Sequence, residues 1–80
     1  MITAGQLKAA RALLGIDQKT LADRAGVSLP TIQRMEASEG TVRGNVDTLT
    51  KVVDALAAAG IELLYAGGRG VRLREPPGDE

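Results

Sequence analysis

The side chains available for bond-making chemistry are few. The chain has no histidine and no cysteine. That removes the commonest general base and metal ligand, the thiolate nucleophile, the disulfide and the cysteine zinc site. Carboxylates, lysines, hydroxyls and the single aromatic Tyr65 remain, and no pair of carboxylates is spaced for acid–base work. No enzyme activity, cofactor or metal is therefore expected. The side chains best suited to binding rather than bond-making include Ser28, Leu29, Pro30, Thr31, Gln33 and Arg34, within one short stretch. Arginine can donate two hydrogen bonds to guanine O6 and N7, and glutamine can pair with adenine N6 and N7. Hydroxyls and helix N-termini suit phosphates, while leucine and proline offer apolar contact to thymine methyls.

Composition narrows the setting. Eighty residues make one small domain, and the apolar fraction of 44% fits a packed globule. Without Phe or Trp the core must be aliphatic. A core this small yields only a few kcal/mol of net stability, so a partner chain is expected. Formal net charge is zero, from 10 cations and 10 anions. Residues 1–45 carry six cations against four anions, and residues 46–80 four against six, so the basic excess of the first half is slight. No apolar run nears the roughly 18 residues that span a bilayer, and no signal-peptide pattern opens the chain. A soluble cytoplasmic protein is the expectation.

The elements that must position the cluster are punctuated by caps. Thr3 with Gln6 three residues on forms a capping box, and Ile2 with Leu7 a hydrophobic staple, for a first helix ending at Gly15. Asp17 starts a second helix, with Ile16 and Leu21 as staple and Gly26 as stop. Ser28 starts a third, with Val27 and Ile32 as staple; Pro30 is tolerated in its first turn. That helix runs to about Glu36. Residues 38–44 read as a loop. Asn45 caps a fourth helix with Val46, Leu49, Val52, Val53 and Leu56 on one face, stopped at Gly60. The period then changes from 3.6 to 2: Ile61, Leu63 and Tyr65, then Val71 and Leu73, flank the glycine-rich stretch 66–70, which predicts a β-hairpin. Residues 75–80 read as a polar tail.

Only about three residues, Gly26-Val27-Ser28, separate the second and third helices. So short a joint sets two helices at a steep angle, as in a helix-turn-helix. Gly26 can take the positive φ of the turn, Ala22 permits close approach, and Val27 plugs the corner, with Leu21, Ala25, Ile32 and Met35 facing inward.

The window Gln18 to Ala37, QKTLADRAGVSLPTIQRMEA, resembles the helix-turn-helix of the Cro/C1-type repressors, the xenobiotic-response-element family. Leu21, Ala22, Gly26, Val27, Ile32 and Met35 stand where that pattern requires them, and the likeness extends from about residue 3 to residue 59. It departs after Gly60, where many members continue with a fifth helix. The resemblance implies a mainly α, lambda-repressor-like four-helix domain over 1–60, here with a C-terminal β-hairpin over 61–74 and a tail over 75–80. It implies a transcription regulator, most simply a repressor, binding a palindromic operator in double-stranded DNA as a homodimer. Residues 28–36 would enter the major groove, with Leu29, Pro30, Gln33 and Arg34 matching positions that read bases. Gln18, Ser28, Thr31, Arg43 and Asn45 would meet the backbone, although Asn45 is an N-cap first. Glu36 is expected to bond a neighbouring helix or loop, and Arg24 to be solvated or ion-paired. An isolated hairpin is marginal. Ile61, Leu63, Tyr65, Val71 and Leu73 are therefore expected to bury against a second chain, the alternative being that the hairpin folds back on the first and fourth helices. Two other functions remain open: an antitoxin of a toxin–antitoxin pair with the same fold, and a protein-interaction module that never meets DNA.

Overall fold

In the computed structural model, residues 2–74 are described. Four helices, α1 (Ala4–Leu14), α2 (Gln18–Ala25), α3 (Leu29–Glu36) and α4 (Val46–Ala58), precede the strands β1 (Ile61–Leu64) and β2 (Gly70–Leu73). The tail expectation for 75–80 lies outside the described residues.

Each helix begins where a short polar side chain satisfies its free N–H groups. Thr3 accepts from the Gln6 N–H while Gln6 reaches back to the Thr3 N–H, completing the capping box. Asp17, Ser28 and Asn45 cap α2, α3 and α4 through the N–H groups of Thr20, Thr31 and Thr48. α2 ends in a left-handed Gly26, φ 71°, whose neighbour Val27 donates to the Ala22 carbonyl at 3.0 Å. This doubled turn closes α2 and swings the chain into α3 within three residues. A second copy of the device at Gly15 joins α1 to α2.

The core is aliphatic: Leu7, Leu21, Ile32, Met35, Val52 and Leu56 are its largest fully buried side chains. α2 packs on α3 and α4, α1 on α3 and β2, and α4 on β1. One feature was not legible in the loop reading of 38–44. Thr41 bridges Thr3, the Val42 N–H donates to the Ile2 carbonyl, and the Ala4 N–H donates to the Gly40 carbonyl. Val42 and Ile2 are both buried as a result. The loop is thus stitched to the start of the chain. Val46, expected on the inner face of α4, is instead 76% exposed in the first turn of that helix.

β1 and β2 pair antiparallel, Ile61 with Leu73 through Leu64 with Gly70. Tyr65, expected in the first strand, lies in the connecting turn, where the Arg69 guanidinium sits 5.3 Å from its ring centroid. The hairpin folds back on α1 and α4 of its own chain. Ile61 is only 6% exposed, and Leu63, Val71 and Leu73 pack partly against the same core. Of the five hairpin residues expected to meet a second chain, Ile61 is used up internally, while Tyr65 is 48% exposed. Gln6 holds the hairpin there. Its side chain is buried, and its amide nitrogen donates to the carbonyls of Leu64 and Gly70 at 3.1 and 3.0 Å. The α1 capping residue therefore also grips the end of the ladder.

Candidate nucleic-acid interface

α3 is two turns long and divides sharply. Ile32, Met35 and Glu36 are buried, whereas Ser28, Pro30, Gln33 and Arg34 are exposed and Leu29 and Thr31 half-buried. The surface from residue 28 to 34 faces outward from the turn at Gly26, as a groove-entering helix requires.

What fixes the pose of α3 is a carboxylate. Glu36 accepts from Arg11 Nε at 2.7 Å and Nη2 at 2.9 Å, and from Gln18 Nε2 at 3.0 Å. The third guanidinium nitrogen of Arg11 donates to the Ile16 carbonyl at 3.1 Å. One acid thus ties α1, the α1–α2 turn, the start of α2 and the end of α3. Burial pushes the Glu36 carboxyl up, but the hydrogen bonds from Arg11 and Gln18 and the Arg11 charge outweigh it and hold it below its ordinary value. The hydrogen bond to Glu36 raises Arg11 correspondingly. Asp17 is also held low, because the Thr20 N–H donates to its capping carboxylate.

The expected backbone residues spread along one side. Gln18 stands at the N-terminus of α2 with one amide hydrogen given to Glu36, leaving a second. Ser28 Oγ and Thr31 Oγ1 are 2.8 Å apart and bond each other. Asn45 Oδ1 accepts from the Thr48 N–H at 2.8 Å. Arg43 is exposed, and a small concavity of about 130 Å³ brings it together with Thr31, Arg34, Asn45 and Thr48 over Met35. Arg34 Nη2 contacts Thr31 Oγ1 at 3.4 Å. Arg24 is exposed. Two contributors escaped the sequence reading: Arg11, whose role depends on a carboxylate 25 residues away, and the second bond set of Gln6. No local signal reveals either.

A fold of this kind, with an exposed two-turn helix beyond a glycine-closed turn, defines a helix-turn-helix DNA-binding regulator. A family model described as helix-turn-helix matches residues 7–59, and the chain belongs to that family, of the Cro/C1 type. Comparison with curated proteins gives no match. No helix among the described residues is long and apolar enough to cross a membrane.

Proposed function

We propose that the protein is a sequence-specific repressor that occupies a palindromic operator as a homodimer. The observation that supports DNA reading is the outward face of α3. Pro30, Gln33 and Arg34 are presented to solvent, and the half-buried Leu29 beside them, on a helix anchored from behind by Ile32, Met35 and the Arg11–Glu36 pair. Gln33 suits an adenine edge and Leu29 and Pro30 suit thymine methyls. Gln18, Ser28, Thr31, Arg43 and Asn45 line the side of the domain that would follow the phosphates, fixing register without carrying sequence information.

One short helix covers only a few base pairs, so two-fold pairing is the natural route to an operator, with half-sites about 34 Å apart. What supports pairing is an apolar groove of about 480 Å³ between α4 and β1, lined by Ile2, Val46, Leu49, Val53, Leu63 and Tyr65. Leu63 and Tyr65, members of the expected interface, are on its wall, and Val46 and Tyr65 are exposed.

The test is a gel-shift titration against the DNA upstream of the gene at two salt concentrations. Specific binding should weaken steeply with salt, the logarithmic slope rising by about 0.9 per phosphate neutralised. Absence of salt-dependent binding to any fragment would instead favour a protein-interaction module.

A further inference from the structure

Two arginines face one small polar pocket, and no carboxylate lines it. Arg34 comes to it from α3 and Arg43 from the segment before α4, with Thr31, Asn45 and Thr48 completing the wall and Met35 beneath. Elsewhere the cations next to acids are paired: Arg11 with Glu36, Lys19 with Asp23, Arg72 with Glu62. Arg34 has only the Thr31 hydroxyl at 3.4 Å, and Arg43 meets no acceptor among the described residues. Two like charges on a shared concavity repel unless an anion joins them. The first turn of the 13-residue α4 opens on the same place, and its own acid, Asp47, lies outside the pocket wall.

The position of this pocket decides which anion. An α-helix with its side chains is about 10–12 Å across and the major groove about 12 Å wide. When α3 fills the groove, residues 43–48 cannot enter beside it. A pocket shared between α3 and that segment must therefore lie at the lip of the groove, where the phosphates run, and not over its floor. Resting on the DNA-reading function proposed above, we infer that Arg34 anchors a backbone phosphate together with Arg43, and that sequence reading falls to Gln33, Leu29 and Pro30. Arg34 differs in this from the base-reading role that the family resemblance implies for it.

The experiment starts by selecting a high-affinity duplex from a random pool with the full chain. Affinities of the wild type, Arg34→Ala, Arg34→Lys, Arg43→Ala and Gln33→Ala are then measured on the selected duplex, on its single-base variants and on a scrambled duplex, across a salt series. All three positions are exposed, so the variants should fold, and thermal melts verify it. Arg34→Ala and Arg43→Ala should each lose the same factor on selected and scrambled DNA and each lower the salt slope by about 0.9. Arg34→Lys should keep most of the affinity, since a phosphate accepts a point charge where a guanine edge requires the planar fork. Gln33→Ala should flatten the preference at one base pair. An Arg34→Ala protein that loses discrimination at a single base pair, with scrambled-DNA affinity and salt slope intact, overturns the assignment. A wild-type protein that enriches no duplex overturns the DNA reading itself, and the assignment with it.

Discussion

Replacing Glu36 by glutamine should cost far more than a surface change of equal size. The side chain is 5% exposed and takes three hydrogen bonds, two from a guanidinium whose own side chain is 22% exposed. Glutamine keeps one acceptor oxygen, turns an NH₂ group toward Arg11, and leaves the arginine charge without its counter-ion. Breaking a fully buried pair costs about 3–5 kcal/mol. Because Arg11 retains partial access to water, the expected loss here is about 2–3 kcal/mol. For a domain of this size that lowers the Tm by roughly 10–20 °C. The pH dependence carries a second signature. Glu36 is held below its ordinary value in the folded state, so its contribution is fully present above the unfolded glutamate value of about 4.3 and is lost as pH falls through the lower folded value. Glutamine resembles the protonated acid, so the gap between wild type and Glu36→Gln should close in acid. Urea unfolding followed by circular dichroism at pH 7 and pH 3 measures both. A variant within 0.5 kcal/mol of wild type at pH 7, or a gap that persists unchanged at pH 3, would refute the claim that this carboxylate holds the helices together.

Three further outcomes can be checked on the same protein. Gly26→Ala places a Cβ in open space but at φ 71°, so its cost should be conformational alone, about 1–2 kcal/mol; a neutral result would mean the turn relaxes to another geometry. Gln6→Leu removes the reciprocal bond of the capping box and the two bonds to the Leu64 and Gly70 carbonyls. It should lower stability by about 2 kcal/mol and speed amide exchange in the hairpin; unchanged exchange there would show that Gln6 does not hold the ladder. Tyr65→Asp puts a charge on the wall of the α4–β1 groove at a half-exposed position, and sedimentation equilibrium should then report a monomer, against the dimer proposed for the wild type. Persistence of the dimer would exclude that wall from the contact.

Much of the backbone was legible because its determinants are local. An N-cap acts three residues ahead and a glycine stop acts on the preceding turn, so Thr3, Asp17, Ser28 and Asn45 set four helix starts and Gly15 and Gly26 two ends. The outward set on α3 was readable for the same reason, since the turn and the helical period together fix which side chains face the core. What escaped is non-local. Whether Ile61 meets its own α4 or a second chain depends on packing between elements far apart in sequence, and both arrangements bury the same apolar alternation. Val42 is one apolar residue in a polar loop and gives no period. Gln6 satisfied a local motif, which concealed that its remaining amide donors are used 58 and 64 residues away.

The division of labour along α3 has a consequence for how such a protein can change. An eight-residue helix does not hold its own shape in water, because nucleation is costly and few bonds repay it. α3 exists because Ile32 and Met35 enter the core and Glu36 is gripped by Arg11 and Gln18. Those three residues supply the anchoring, and the outward residues supply almost none: Pro30, Gln33 and Arg34 stand in solvent. Exposed substitutions away from caps and buried networks usually change stability by less than about 0.5 kcal/mol. Gln33 and Arg34 can therefore be exchanged for other polar side chains with the fold unaffected, so affinity and sequence preference can vary independently of stability. Ser28 and Thr31 are the exception on that face, since one caps the helix and the other supplies the N–H it accepts. A substitution at Ser28 should weaken DNA contact and helix together, and could not be read as a change in recognition alone.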